Sequence, residues 1–162
     1  GGSYFTQRPR CGSTLAGRKT FGCCLMSDYG TIKTALATQL NTSTHVEIVY
    51  DNPPDVPFTP SAIVIPGEPA VEYGDAMQRG LVQMFFNVTF LVQRFDMDLN
   101  IARLDPLIYG ADSVDQLLAA DRTLGGVVSF ARATSAGNVG NVGYGDDIYL
   151  GVEFEIEVMV EP

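Results

Sequence analysis

The chain has 162 residues, 46% hydrophobic and 18% charged, enough for one domain to bury a core without a metal or a disulfide framework. Its formal net charge of −9 disfavours a protein that reads nucleic-acid phosphates. No apolar run nears the roughly 18 residues that cross a bilayer, so a water-soluble chain with no membrane partner is expected.

The charge is divided unevenly along the chain. Residues 1–25 carry Arg8, Arg10, Arg18 and Lys19 and no acid, a charge of +4, whereas the remainder has six basic and nineteen acidic residues and stands at −13. This basic segment reads either as an electrostatic arm or as an extension upstream of Met26, and residues 26–162 read as one domain. All three cysteines, Cys11, Cys23 and Cys24, lie in the segment. An odd number, two of them adjacent, makes neither a disulfide framework nor a zinc site, and the cysteine-free body points to a reducing compartment.

Ser27-Asp28 supplies N-cap chemistry ahead of Ile32, Leu36 and Leu40, which predicts a helix ending near Asn41. His45 to Tyr50 reads as a strand with Val46, Ile48 and Tyr50 on one face and Val49 on the other. The next ten residues, 51–60, contain four prolines and read as a stiff, exposed loop. A short buried strand is expected at 61–65, then a long connection from Gly67 to Gly80. From Val82 the even positions are Val, Met, Phe, Val, Phe and Val while the odd ones include Gln83, Asn87 and Thr89, so a long strand with one apolar face follows. At 3.3 Å per residue, Leu81 to Gln93 spans roughly 43 Å, which suggests that neighbouring copies share its coverage.

Helical spacing returns at 100–109, with a kink or early stop expected at Pro106. A capping box at Ser113 to Gln116 opens a further helix to Asp121. Residues 127–133 read as a strand, and the glycine-rich stretch 137–145 as a flexible hairpin loop. The last strand, 148–160, sets Val152, Phe154, Ile156 and Val158 on one face and Glu153, Glu155 and Glu157 on the other. Carboxylates about 7 Å apart repel by about 0.6 kcal/mol in water, so the ladder must stay wet or meet cations. The order α-β-β-β-α-α-β-β predicts an α+β fold: a mixed, largely antiparallel sheet with long strands and helices packed on one side.

Catalytic signals are weak. His45, the one histidine, reads as a structural residue at the start of a strand, and no Gly-x-Ser-x-Gly surrounds a serine. Asp96, Asp98 and Asp105 read as solvated acids in a loop and a first helical turn. The glycine stretch lacks Gly-Lys-Ser/Thr and precedes a strand, so it is neither a P-loop nor a dinucleotide fingerprint. No enzyme activity, cofactor or metal is expected.

The strings Met26-Ser-Asp-Tyr-Gly, Ala62-Ile-Val-Ile-Pro-Gly67 and Glu72-Tyr73-Gly-Asp-Ala-Met77 with Arg79-Gly80, followed by Ser113 to Asp121 and Thr123 to Val127, resemble the small tail-terminator proteins of long-tailed actinobacterial phages. The resemblance covers about residues 26–162. It implies an α+β subunit forming a ring of six copies on the head-proximal end of the tail tube, where the ring stops tube growth and docks the neck. Implied partners are other copies of the chain, the major tail-tube protein and a head-completion or neck protein, with DNA only as passing cargo. The implied location is the virion neck, after assembly in the bacterial cytoplasm. Another neck ring, a tail-tube protein and, from a different class, a small-molecule-binding module remain as alternatives.

On this reading Glu153, Glu155 and Glu157 face the channel, an adjacent subunit's arginines, or solvent. Pro53, Pro54, Pro57, Tyr73, Met77, Arg79, Asn138, Asn141 and Tyr144 are the candidate partner-facing loop residues. Arg8, Arg10, Arg18 and Lys19 form the electrostatic arm.

Overall fold

A computed structural model describes residues 28–74, 80–95 and 97–161. The element order is the expected one: α1 (Tyr29–Leu40), β1 (Ile48–Tyr50), β2 (Ser61–Tyr73), β3 (Val82–Val92), α2 (Met97–Ile108), α3 (Val114–Ala120), β4 (Phe130–Tyr144) and β5 (Asp147–Val160). The strands form one sheet in the order β1-β2-β3-β5-β4. Only β1 against β2 is parallel. The fold is α+β with a mixed, largely antiparallel sheet.

Helix α1 begins where Asp28 Oδ1 accepts the Thr31 backbone N–H at 2.7 Å, satisfying a donor that the helix itself leaves free. The Thr31 bonds, side chain and backbone, hold the Asp28 carboxyl below its ordinary value. A depressed carboxylate stabilises the fold above its unfolded pKa of about 3.9 and loses that contribution as pH falls through the folded value. Denaturant midpoints measured from pH 6 to pH 2.5 should therefore fall less steeply in Asp28→Asn than in the parent chain. Parallel curves would remove this carboxylate from the acid response.

The even residues of β3, Phe86, Val88, Phe90 and Val92, pack with Val152, Phe154, Ile156 and Val158 of β5 and with Ile32, Leu36, Leu104, Leu107 and Leu118 of the helices. Phe90 meets Phe154 edge to face at 5.3 Å, and Tyr29 stacks on Phe86 at 5.0 Å. All three helices thus contribute to the core on one side of the sheet. Strand β3 is paired along both edges, to β2 and to β5, so its length does not leave it bare within one copy. The two strands without an outer neighbour among the described residues are β1, three residues long, and β4, fifteen residues long.

Several expectations are corrected. The first strand is only three residues long, and its faces are inverted: Val49 packs on the core, Ile48 is exposed, and Val46 is buried ahead of the strand. Strand β2 does not stop at Ile65 but continues to Tyr73, its register shifting between Pro66 and Val71. Gly67 lies in that irregularity, where an added Cβ would sit 2.8 Å from Phe85 Cβ. Helix α2 starts at Met97 and keeps Pro106 inside it to Ile108, and Asp105 lies near its end rather than in its first turn. The glycine-rich stretch is not a loop: β4 runs through it to Tyr144, with register shifts between Ala133 and Ser135 and between Gly137 and Gly140. The hairpin reverses at Gly145-Asp146. Pro57, expected in an exposed loop, is buried.

Candidate assembly surface

Antiparallel register places Glu153, Glu155 and Glu157 of β5 opposite Gly137, Ser135 and Arg132 of β4 on one side and Thr89, Asn87 and Phe85 of β3 on the other. These residues share the sheet face away from the helical core. The carboxylates are handled unequally. Glu157 is buried; its Oε2 accepts from Arg132 Nε at 2.8 Å and lies 2.6 Å from an Nη of the same guanidinium, and its Oε1 accepts from Gln83 Nε2 at 3.1 Å. Glu155 is exposed and accepts from the Ser135 hydroxyl at 2.8 Å, and Glu153 accepts from Asn138 Nδ2 at 2.5 Å.

The ladder therefore meets its cation inside the chain at one rung and neutral donors at the other two. The guanidinium, with two nitrogens on one carboxylate oxygen, offsets the cost of burying Glu157, while Glu153 and Glu155 keep uncompensated charge on an accessible surface. Asn138 adopts positive φ (51°) beside the break at Gly137–Gly140, a conformation asparagine tolerates better than most residues. That bend brings its amide to Glu153. Asn141, also exposed, lies farther along β4 opposite Leu150.

At the far end of this face two candidate loop segments meet. The Tyr144 hydroxyl donates to the Pro54 carbonyl, ninety positions away in sequence, and Tyr50 Oη accepts the Phe58 N–H at 3.2 Å. Loop 51–60 is thereby clasped against the hairpin end, and Ile63 and Leu91 are fully buried although they lie opposite the helical side. Burial, then the negative charge of Asp55, raises the Tyr144 hydroxyl above its ordinary value. Pro53 stays exposed and Pro54 is half-buried. Tyr73 is exposed at the opposite end of the sheet, so the candidate loop residues do not form one surface. Met77, Arg79, Asp96 and the arm residues Arg8, Arg10, Arg18 and Lys19 lie outside the described residues.

Sequence reasoning missed Arg132 and Gln83, the groups that complete the Glu157 site, and the exposed Phe58, Phe95 and Ile148. Arg132 was the one basic residue in the last third of the body after Arg122, and an acidic strand face next to it was the available signal. His45 Nε2 lies 3.6 Å from Asp112 Oδ2, beyond hydrogen-bond range, and its backbone N–H donates to Ser43 Oγ at 3.2 Å. Among the described residues no three His, Cys, Asp or Glu side chains are grouped to hold a metal, and no helix is long and apolar enough to cross a membrane. No family model matches the chain, and no curated protein matches it.

Proposed function

We propose that the chain is a tail-terminator subunit of a long-tailed phage, which assembles through copies of itself into a ring that caps the tail tube and receives the neck. The observation that carries the reading beyond the family-like strings is the outer strand β4. Among the described residues it offers fifteen positions with no strand on their outer side, on a sheet one face of which already holds the helices. An edge of that length invites a further strand or a neighbouring subunit. Contacts of this kind between unlike surfaces close into a ring when the rotation between copies is right.

Glu153 and Glu155 fit a surface that DNA passes without adhering, since like charge repels phosphate. Glu157 is committed to Arg132 of its own chain and is not free for a neighbour's arginine.

The test mixes the purified chain with growing tubes of its own virus that lack a terminator. Growth should cease with density added at one end only, and the chain alone should show the mass of a closed ring by light scattering. Elongation by the chain itself would identify a tube subunit. Failure to associate with tube or neck proteins would overturn the proposal.

A further inference from the structure

The end of the sheet where β2 begins, β3 finishes and the β4–β5 hairpin turns is unusually apolar for an exposed surface. Val56 (70% exposed) and Phe58 (77%) come from loop 51–60, Phe95 (84%) follows β3, and Ile148 (53%) opens β5. All four lie on segments that meet at this end of the sheet. Phe95, Ile148 and Tyr149 line one cleft, and loop 51–60 is joined to the hairpin end by the Tyr144 to Pro54 bond. An apolar patch of this kind marks a binding surface.

Its rim is acidic. Asp55 lies within the loop, Asp146 in the hairpin turn and Asp147 at the start of β5, with Arg94 the single cation lining the cleft. Two copies meeting through this end would bring like charges together, which disfavours self-pairing here. The complementary chemistry lies in the chain's own first 25 residues, which hold four cations and no acid together with Tyr4, Phe5, Leu15 and Phe21.

The point where that segment joins the body also fits. Asp28 and Lys33 of the first turns of α1 line one groove with Asp51 and Asn52, and Lys33 Nζ donates to Asn52 Oδ1 at 2.7 Å. Asp28, to which the preceding 27 residues are joined, thus lies beside the start of loop 51–60. Fully extended they reach about 90 Å, several times what is needed.

We infer that residues 1–25 dock in cis across this end of the sheet, apolar side chains over Phe58, Phe95 and Ile148 and cations against Asp55, Asp146 and Asp147. The contact covers the patch in the free chain and is salt-sensitive, because the rim charges are exposed and screened over about 10 Å at 0.1 M salt. It does not depend on the proposed function.

The test uses the full chain with a photoreactive benzoylphenylalanine at position 95, an exposed site whose replacement spares the core. Illumination should join position 95 to residues 1–25 of the same molecule, read by mass spectrometry of the monomer band. The same probe at position 155, on the open sheet face, should give no such product. Yield should fall at least threefold in Asp146→Asn/Asp147→Asn, and likewise when salt is raised from about 0.05 to about 0.5 M. Cross-links only to another copy, none to residues 1–25, or a yield unchanged in the double asparagine variant would each overturn the inference. Circular dichroism of each variant separates these outcomes from misfolding.

Discussion

Gly151→Ala should destabilise the chain by about 3 kcal/mol, the largest loss expected of any single methyl group added to the sheet. Gly151 lies in β5 opposite Leu91, and a Cβ built there would stand 2.5 Å from the Phe90 carbonyl oxygen, 3.0 Å from Val142 Cγ2 and 3.3 Å from Leu91 Cδ2. The first obstacle is backbone of the paired central strand, which cannot swing aside as a side chain end would. Relief requires β5 to separate from β3, at the cost of ladder bonds on both sides. Gly137→Ala on β4 is the control, since nothing lies within 4 Å of its would-be Cβ. A urea midpoint for Gly151→Ala within error of that for Gly137→Ala would show that the sheet yields there without penalty.

The second large effect is expected from Arg132→Met. This removes the guanidinium and leaves Glu157, a buried carboxylate, with Gln83 alone. Loss of one partner from a buried pair costs about 3–5 kcal/mol. Here Arg132 is half exposed and water can enter in its place, so about 2 kcal/mol is the better expectation. Adding Glu157→Gln should restore most of it, because the remaining group is neutral and can still bond to Gln83. A double-mutant cycle by chemical denaturation measures this, and additive losses would mean that the pair is not coupled. The Glu155→Gln variant should change stability little, since that side chain is exposed and bonded to a hydroxyl.

The two sites also mark where the sequence could be read and where it could not. Alternation in 82–92 and 148–160 assigned the core face correctly because both strands lie inside the sheet, where one face must be apolar. Caps at Asp28 and Ser113 placed two helix starts through local chemistry alone. The failures at 66–73 and 137–144 share a cause. Pro66 and Pro69 fall in β2 beyond the reach of short β1, and the glycines of β4 lie on the outermost strand, so neither run must satisfy neighbours on both sides. Residues typical of loops are tolerated at such rims, and register shifts absorb the irregularity.

The partner of Glu157 was hidden by those same shifts. Counting back from Tyr144 opposite Asp147 in an unbroken hairpin would set Arg132 against Met159, whereas the two irregularities in β4 slide it to Glu157. A two-residue slip preserves the face but changes the neighbour. Parity, which composition encodes, was therefore legible, and pairing, which depends on backbone irregularities, was not. The clasp from Tyr144 to Pro54 was hidden for a further reason: it joins segments brought together only by the completed sheet.

Strand order bears on what truncation does. Strand β5, the last in chain order among the described residues, is not added at a margin but is wedged between β3 and β4. Without it, Phe86, Val88 and Phe90 have no covering on that flank, and a chain cut before residue 147 holds a half-built interior open to other polypeptides. A cut ahead of residue 147 therefore removes the centre of the sheet and not its rim.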